Sequence, residues 1–236
     1  VNVGLVSMRG FPYAIEDNYR RLEAYVRDAA NRGAKLVIAP ECVLDGYVCS
    51  GATSPRRMLS VAQRVPDGSY IVRAASMCHK LDIHLVFGFL EQVEEHDRRT
   101  RMRNSCVMIS PSGNVIASYS KVFPQTEQWI DAGRRMLCEK TPFGRMGMLI
   151  CADRTVVEHF SPYASVPVNR PDILVDVPSM LLSSTGPLAL RWNYVPKMIP
   201  WFLKFIKNCS KKKMMHTAKY MHQILDLALP AYDEIF

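Results

Sequence analysis

No run of eighteen apolar residues occurs in the 236-residue chain, so a membrane-crossing helix is not expected. No Cys-x-x-Cys pair and no His-Glu-x-x-His occurs, and the six histidines are scattered, so no metal site is expected. A disulfide framework is missing too. The seven cysteines, at 42, 49, 78, 106, 138, 151 and 209, make an odd count without regular spacing. In a chain this long that pattern favours a reducing, cytoplasmic setting. The chain opens at once into the strand-like Val1-Asn-Val-Gly-Leu-Val6, with no basic stretch ahead of an apolar core, so no signal peptide is expected there. There is no internal repeat. With 48% hydrophobic and 22% charged residues, the chain is expected to bury a sizeable core, most simply as one domain.

Charge is nearly balanced over most of the chain. The formal net charge is +8, but the residues after Thr185 hold eight lysines and arginines against three carboxylates, +5 of that total. The first 185 residues carry only +3. A fold-wide basic surface for nucleic acid is therefore not indicated; one basic segment is.

Periodicity supplies the elements. Residues 1–6 read as a strand, and 15–31 as a helix with Tyr19, Leu22, Val26 and Ala29 on one face and Gly33 as its stop. Residues 35–39 form a short buried strand ended by Pro40, which implies a parallel crossover. A helix is predicted over 69–80, with Ile71, Ala74, Ala75 and Cys78 on one face, then a strand over 83–90. The charged segment 91–103 reads as a solvated hairpin tip. Residues 104–109 and 115–119 flank Ser110-Pro-Ser-Gly113 and predict an antiparallel hairpin. Residues 122–133 read as a loop, and 172–177 as another strand. Met148, Leu149 and Ile150 follow a Thr141-Pro-Phe-Gly144 turn and predict a buried strand ending in Cys151, with a short helix expected around 156–163.

Three chemically apt side chains thus fall just past strands: Glu41, Lys121 and Cys151. Such ends are where open α/β sheets place their ligands. A thiol needs a base to become a thiolate, and a carboxylate beside it can take the proton. A lysine nearby keeps that carboxylate ionised and stabilises an oxyanion. Each residue also has a plainer reading, as strand terminator, exposed hairpin lysine and core cysteine. The triple is harder to dismiss than its members.

The same residues carry a family resemblance. "AKLVIAPE" ending in Glu41 with Gly46-Tyr47 after it, "RNSCVMISPSGNVIASYSKVF" with Lys121, and "FGRMGMLICAD" with Cys151 occur in the order found in carbon–nitrogen hydrolases. The chain resembles the nitrilase superfamily, over about residues 1–180. The resemblance implies an α/β fold, the four-layer α-β-β-α sandwich, and a Glu-Lys-Cys triad at Glu41, Lys121 and Cys151. It places Glu127 as a second glutamate that positions substrate, Gly133 as the close of that loop, and Asn104 as a structural residue. Asp153 matches a frequent Cys-x-Asp, and Glu158 a glutamate seven residues after the nucleophile. Ala152, Asp153 and Arg154 are the implied substrate contacts, Ala152 through its backbone N–H. The implied reaction is hydrolysis of a small non-peptide amide through a thioester, with no metal or organic cofactor, in a homodimer or higher oligomer. Ala152 rather than Trp after the nucleophile points toward an amidase.

Two departures stand out. Arg154 comes one place earlier than in many relatives, and Val157 replaces a proline. After Met180 relatives continue with a helix and strands, whereas here Pro187, Pro196 and Pro200 lead into a basic, helix-patterned stretch with Phe202, Phe205, Ile206 and Cys209 on one side. The chain therefore divides into a hydrolase-like part, 1–184, and a divergent part, 185–236. The second part is read as a helix packed on the domain, with membrane or partner contact as the sharper alternative. The rival to the enzyme is correspondingly a catalytically impaired relative acting as an interaction protein through that segment.

Overall fold

The computed structural model describes residues 1–50, 54–94, 100–124, 127–134, 137–155 and 172–177. All lie within a compact unit spanning 1–181. The helix expected around 156–163, Glu158 and the whole of 185–236 lie outside the described residues. The description therefore begins with β1 (Val3–Leu5), α1 (Ile15–Asn31) and β2 (Leu36–Ile38). After them come α2 (Pro55–Leu59), α3 (Ser69–Leu81), β3 (His84–Glu94), β4 (Thr100–Ile109) and β5 (Val115–Ser120). A second group follows: β6 (Leu137–Thr141), β7 (Gly144–Ile150) and β8 (Ile173–Val177).

Helix α1 forms where the apolar period predicts it and buries Tyr19, Leu22 and Val26. Glu16 and Asp17 in its first turn complement the helix dipole. Gly33, at φ +86°, takes the left-handed conformation beyond its end and donates its N–H to the Ala30 carbonyl at 2.8 Å. Helix α3 buries Ile71, Ala74, Met77 and Cys78, so its face is the predicted one with Met77 added and Ala75 at its rim.

Two sheets result. Five strands run in the order β1-β2-β3-β4-β5, parallel across the first three and antiparallel thereafter. Three more run β6-β7-β8, with β6 antiparallel and β8 parallel to β7. Alternation along β3 divides the core. Leu85, Phe87 and Phe89 join Leu22, Val26, Ile71 and Ala74 in the layer between the first sheet and the helices. On the other side, Val86, Met108 and Tyr119 pack with Met146, Met148, Ile150, Val175 and Val177, so the sheets lie face to face. This is the α-β-β part of the expected sandwich.

Two expectations change, and one strand was not anticipated. The charged segment is mostly strand rather than hairpin tip, because the β3–β4 ladder continues in register from Leu90↔Asn104 through Glu94↔Thr100. Polar residues fall on both faces of this stretch, Glu91 and Arg103 on one and Gln92 and Glu94 on the other, so no apolar alternation marks it as strand. Strand β6, Leu-Cys-Glu-Lys-Thr, has no run of apolar residues to mark it; pairing with β7 makes it a strand. Strand β7 ends at Ile150, and Cys151 is instead the first residue of a 3-10 turn, Cys151–Thr155.

Candidate active site

The site begins with a backbone that overruns its strand. Beyond β2 the chain keeps bonding along β3: Ala39 N–H to Val86 O at 2.8 Å, Gly88 N–H to Pro40 O at 3.1 Å, and Val43 N–H to Gly88 O at 3.0 Å. Glu41 is thereby laid across Gly88, where a Cβ would come within 2.6 Å of the Glu41 Cα. Only glycine fits there. Asn104 stands on β4, and Lys121 follows β5 directly, its N–H donated to the Asn104 carbonyl at 2.8 Å. Glu127 comes from the loop after Lys121. That loop returns at Gly133, whose N–H reaches the Lys121 carbonyl at 2.7 Å and whose missing Cβ would fall 2.0 Å from Ser120 O.

These side chains form one buried cluster. The Lys121 ammonium donates to Glu41 Oε1 at 2.7 Å and also to Glu127 Oε1. Asn104 Nδ2 donates to Glu41 Oε1 at 2.6 Å and Glu127 Oε1 at 3.3 Å. The Tyr47 hydroxyl donates to Glu127 Oε1 at 3.1 Å. The second oxygen of Glu41, Oε2, is buried and accepts no hydrogen bond. That oxygen is left for a reacting partner.

Electrostatics separates the two glutamates. Burial raises the Glu41 pKa, and the Lys121 charge and the Lys121 and Asn104 hydrogen bonds recover only part of that shift. Burial also acts to raise Glu127, but its hydrogen bond to Lys121, the Lys121 charge and the Tyr47 hydroxyl outweigh it, and its pKa falls. Lys121 is opposed by burial yet held cationic, because two carboxylates face it. Two like groups whose environments push them apart are the usual basis for dividing acid–base roles. Of the two, Glu127 is the carboxylate held more firmly as an anion and Glu41 the one that takes up a proton more readily.

The thiol arrives from the other sheet. Cys151 has φ +46°, half-buried, packed beside the Tyr119 and Met148 cluster between the sheets. A non-glycine residue in that conformation costs on the order of 1–3 kcal/mol and persists only where its surroundings hold it. Asp153 does the holding. Fully buried, it accepts from the Tyr119 hydroxyl at 2.7 Å, the Phe123 N–H at 2.8 Å and the Ile150 N–H at 3.2 Å. The turn of Cys151 is thus fastened to the residues on either side of Lys121. Ala152 is buried within it, and Arg154 belongs to the same turn. Among the described residues, Cys42, Tyr47, Trp129 and Cys151 supply four of six non-glycine positive φ values, all in segments that carry the site. Burial pushes the thiols of Cys42 and Cys106 well up and that of Cys78 to about 12.

Glu41, Lys121, Glu127 and Asn104 therefore lie together in one hydrogen-bonded cluster. Asp153, expected to touch substrate, has its carboxylate turned to the protein's own donors. Tyr119 and Asp45 are buried neighbours of the site that sequence reasoning did not single out: Tyr119 fell within a predicted strand, and Asp45 carried no signal of its own.

The fold and this cluster define the class: an α/β sandwich of the nitrilase type. The chain belongs to the carbon–nitrogen hydrolase family, whose model matches residues 2–165. It is 24% identical over 200 residues to a probable nitrilase of Schizosaccharomyces pombe, covering 83% of this chain and 68% of the relative. It is 26% identical over 182 residues to the omega-amidase NIT2 of Homo sapiens, covering 72% and 60%. Among solved structures, Nit3 of Saccharomyces cerevisiae, a member of branch 10 of the nitrilase superfamily, superimposes with a TM-score of 0.63 at 22% identity, over 79% of this chain and 66% of that one. A nitrilase-superfamily amidase of Nesterenkonia gives 0.59 at 16% identity, over 77% and 66%. These structural likenesses establish the fold. The chain spans 60–68% of the length of the two curated relatives.

Proposed function

We propose that this chain hydrolyses a small, non-peptide amide through Glu41, Lys121 and Cys151. Glu41 Oε2 takes the thiol proton as Cys151 Sγ bonds to the carbonyl carbon. Lys121 and the Ala152 N–H hold the oxyanion, a contribution typically worth several kcal/mol. The tetrahedral adduct collapses, the C–N bond breaks, and Glu41 returns its proton to the departing ammonia or amine. Water, deprotonated by Glu41, then attacks the thioester and releases the carboxylic acid, and Cys151 regains its proton. Glu127 anchors Lys121 and orients the substrate. Asp153 contributes by fixing the nucleophile's turn, and Arg154 is assigned to substrate contact.

One observation carries this reading: Glu41 is buried beside Lys121 with one oxygen bonded and the other unclaimed. An amide is preferred to a nitrile because Ala152 follows the nucleophile and because a curated relative is named an omega-amidase. The test is alkylation by iodoacetamide across pH, read cysteine by cysteine by mass spectrometry. Cys151 is expected to react ahead of the other six near neutral pH, and Glu41→Gln or Lys121→Ala to abolish that lead. A folded protein in which Cys151 reacts no faster than the rest overturns the proposal. A panel of small amides, with Cys151→Ala as the blank, then tests turnover.

A further inference from the structure

The turn after Glu41 holds a buried charge that the proposed reaction does not use. Three of its residues take left-handed backbone: Cys42 at φ +48°, Gly46 at +76° and Tyr47 at +60°. It is also tightly packed, since a Cβ on Gly46 would lie 2.3 Å from the Phe11 carbonyl carbon. Asp45 sits at its centre, fully buried. Its Oδ1 accepts from the Val48 N–H at 3.2 Å and its Oδ2 from the Leu90 N–H at 2.8 Å, while its own carbonyl accepts from Tyr13 N–H at 3.0 Å. The side chain therefore clips the turn to β3 and the backbone clips it to the segment before α1. Among the described residues no ion pair compensates the Asp45 charge, and burial lifts its pKa to about 7. An uncompensated carboxylate is an expensive way to close a turn. The geometry gives the reason: both oxygens must accept from backbone N–H groups of separate segments. An asparagine would set its own N–H against one of them.

Two residues on, the same turn delivers the Tyr47 hydroxyl to Glu127 Oε1 at 3.1 Å. We infer that Asp45 is a positioning residue of the proposed reaction, locking the strained turn that presents Tyr47 to Glu127 and so fixing Glu127 beside Lys121. The role in catalysis rests on the Glu41–Lys121–Cys151 reading; the structural linkage to Glu127 does not.

A double-mutant cycle on the full chain tests it with two readouts: kinetics on a small amide, and the ¹³C carboxyl titration of Glu127, assigned through Glu127→Gln. Asp45→Asn should lower kcat by about tenfold to a hundredfold and move the Glu127 titration to higher pH. Tyr47→Phe should do the same, and the double variant should go no further than either single, because both act through one hydroxyl. Asp45→Ser, which keeps one small acceptor, should fall between. The inference is overturned if the two effects multiply in the double variant, or if Glu127 titrates as in the parent in a folded Asp45→Asn protein. Should Asp45→Asn fail to fold, the Glu127 titration in Asp45→Ser decides. An inert Cys151 in the parent would sink the proposed reaction, and the titration would still decide whether Asp45 sets Glu127.

Discussion

The molecule holds two glutamate clusters of similar composition and opposite behaviour. On the surface, Glu16 of α1 accepts from Arg73 at 2.6 Å, Arg20 at 2.9 Å and the Tyr70 hydroxyl at 3.0 Å. In the interior, Glu41 accepts from Lys121 at 2.7 Å and Asn104 at 2.6 Å. The bond lengths hardly differ. The Glu16 side chain is 41% exposed and that of Glu41 is 0% exposed. The Arg73 and Tyr70 hydrogen bonds pull the Glu16 pKa down to about 2, whereas burial outweighs Lys121 and drives Glu41 up. Water accounts for the difference. A solvated carboxylate surrounded by donors stays an anion, while a desolvated one with an unclaimed oxygen holds a proton more readily.

The largest expected effect breaks the interior cluster. Lys121→Ala strands two buried carboxylates, a loss of about 3–5 kcal/mol, read as a fall in thermal melting temperature at neutral pH. With the cation gone both folded carboxylates are raised, so they favour folding below the ordinary carboxylate value and that support is lost as pH rises. Part of the lost stability should therefore return on acidification. A variant equally unstable at all pH values would mean that the lysine's packing, not its charge, matters. Next come the two close approaches. Gly88→Ala and Gly133→Ala push backbone apart under Glu41 and behind Lys121, and each should remove the selective alkylation of Cys151. Retained selectivity in both would show that the cluster tolerates displacement.

A smaller effect lies in the pH profile. Glu127 is lowered, so its stabilisation is present above the ordinary carboxylate range and is lost as pH falls through its folded value. Asp45 is raised to about 7, so its contribution is present below its ordinary value of 3.8 and is lost as pH rises through 7. Urea unfolding should find this contribution fading between about pH 4 and about pH 7, and Asp45→Asn should narrow that loss. An unchanged slope in the variant would remove Asp45 from the account. The smallest effect belongs to the surface. Glu16→Gln should leave the melting temperature within a few degrees of the parent, with the difference shrinking in salt, because solvent screens exposed pairs.

Much of the sandwich was legible because periodicity is local. The stripe Tyr19, Leu22, Val26 named the buried face of α1, and Ser110-Pro-Ser-Gly113 marked the β4–β5 hairpin. The reading failed where pairing outweighs local pattern. Residues 91–94 and 100–103 look solvated but continue a ladder through Glu91↔Arg103, and β6 is a strand only because β7 lies beside it. Hydrogen bonding to a neighbour stabilises a strand whatever its own alternation shows.

For the site, the sequence by itself determined the chemical inventory: a carboxylate, a lysine and a cysteine each just past a strand, in a family's order. Motif order singled out Cys151, Glu41 and Glu127, but it could not say how their surroundings shift them, because desolvation and hydrogen bonding depend on what surrounds a group in space. Only the tertiary structure separated Glu41 from Glu127, turned Asp153 toward Tyr119 and Phe123, and placed Asp45 between Val48 and Leu90. Most of those contacts join residues far apart in the chain. A spacing rule cannot contain them, because folding alone sets the distance at which two charges meet and the amount of water left between them.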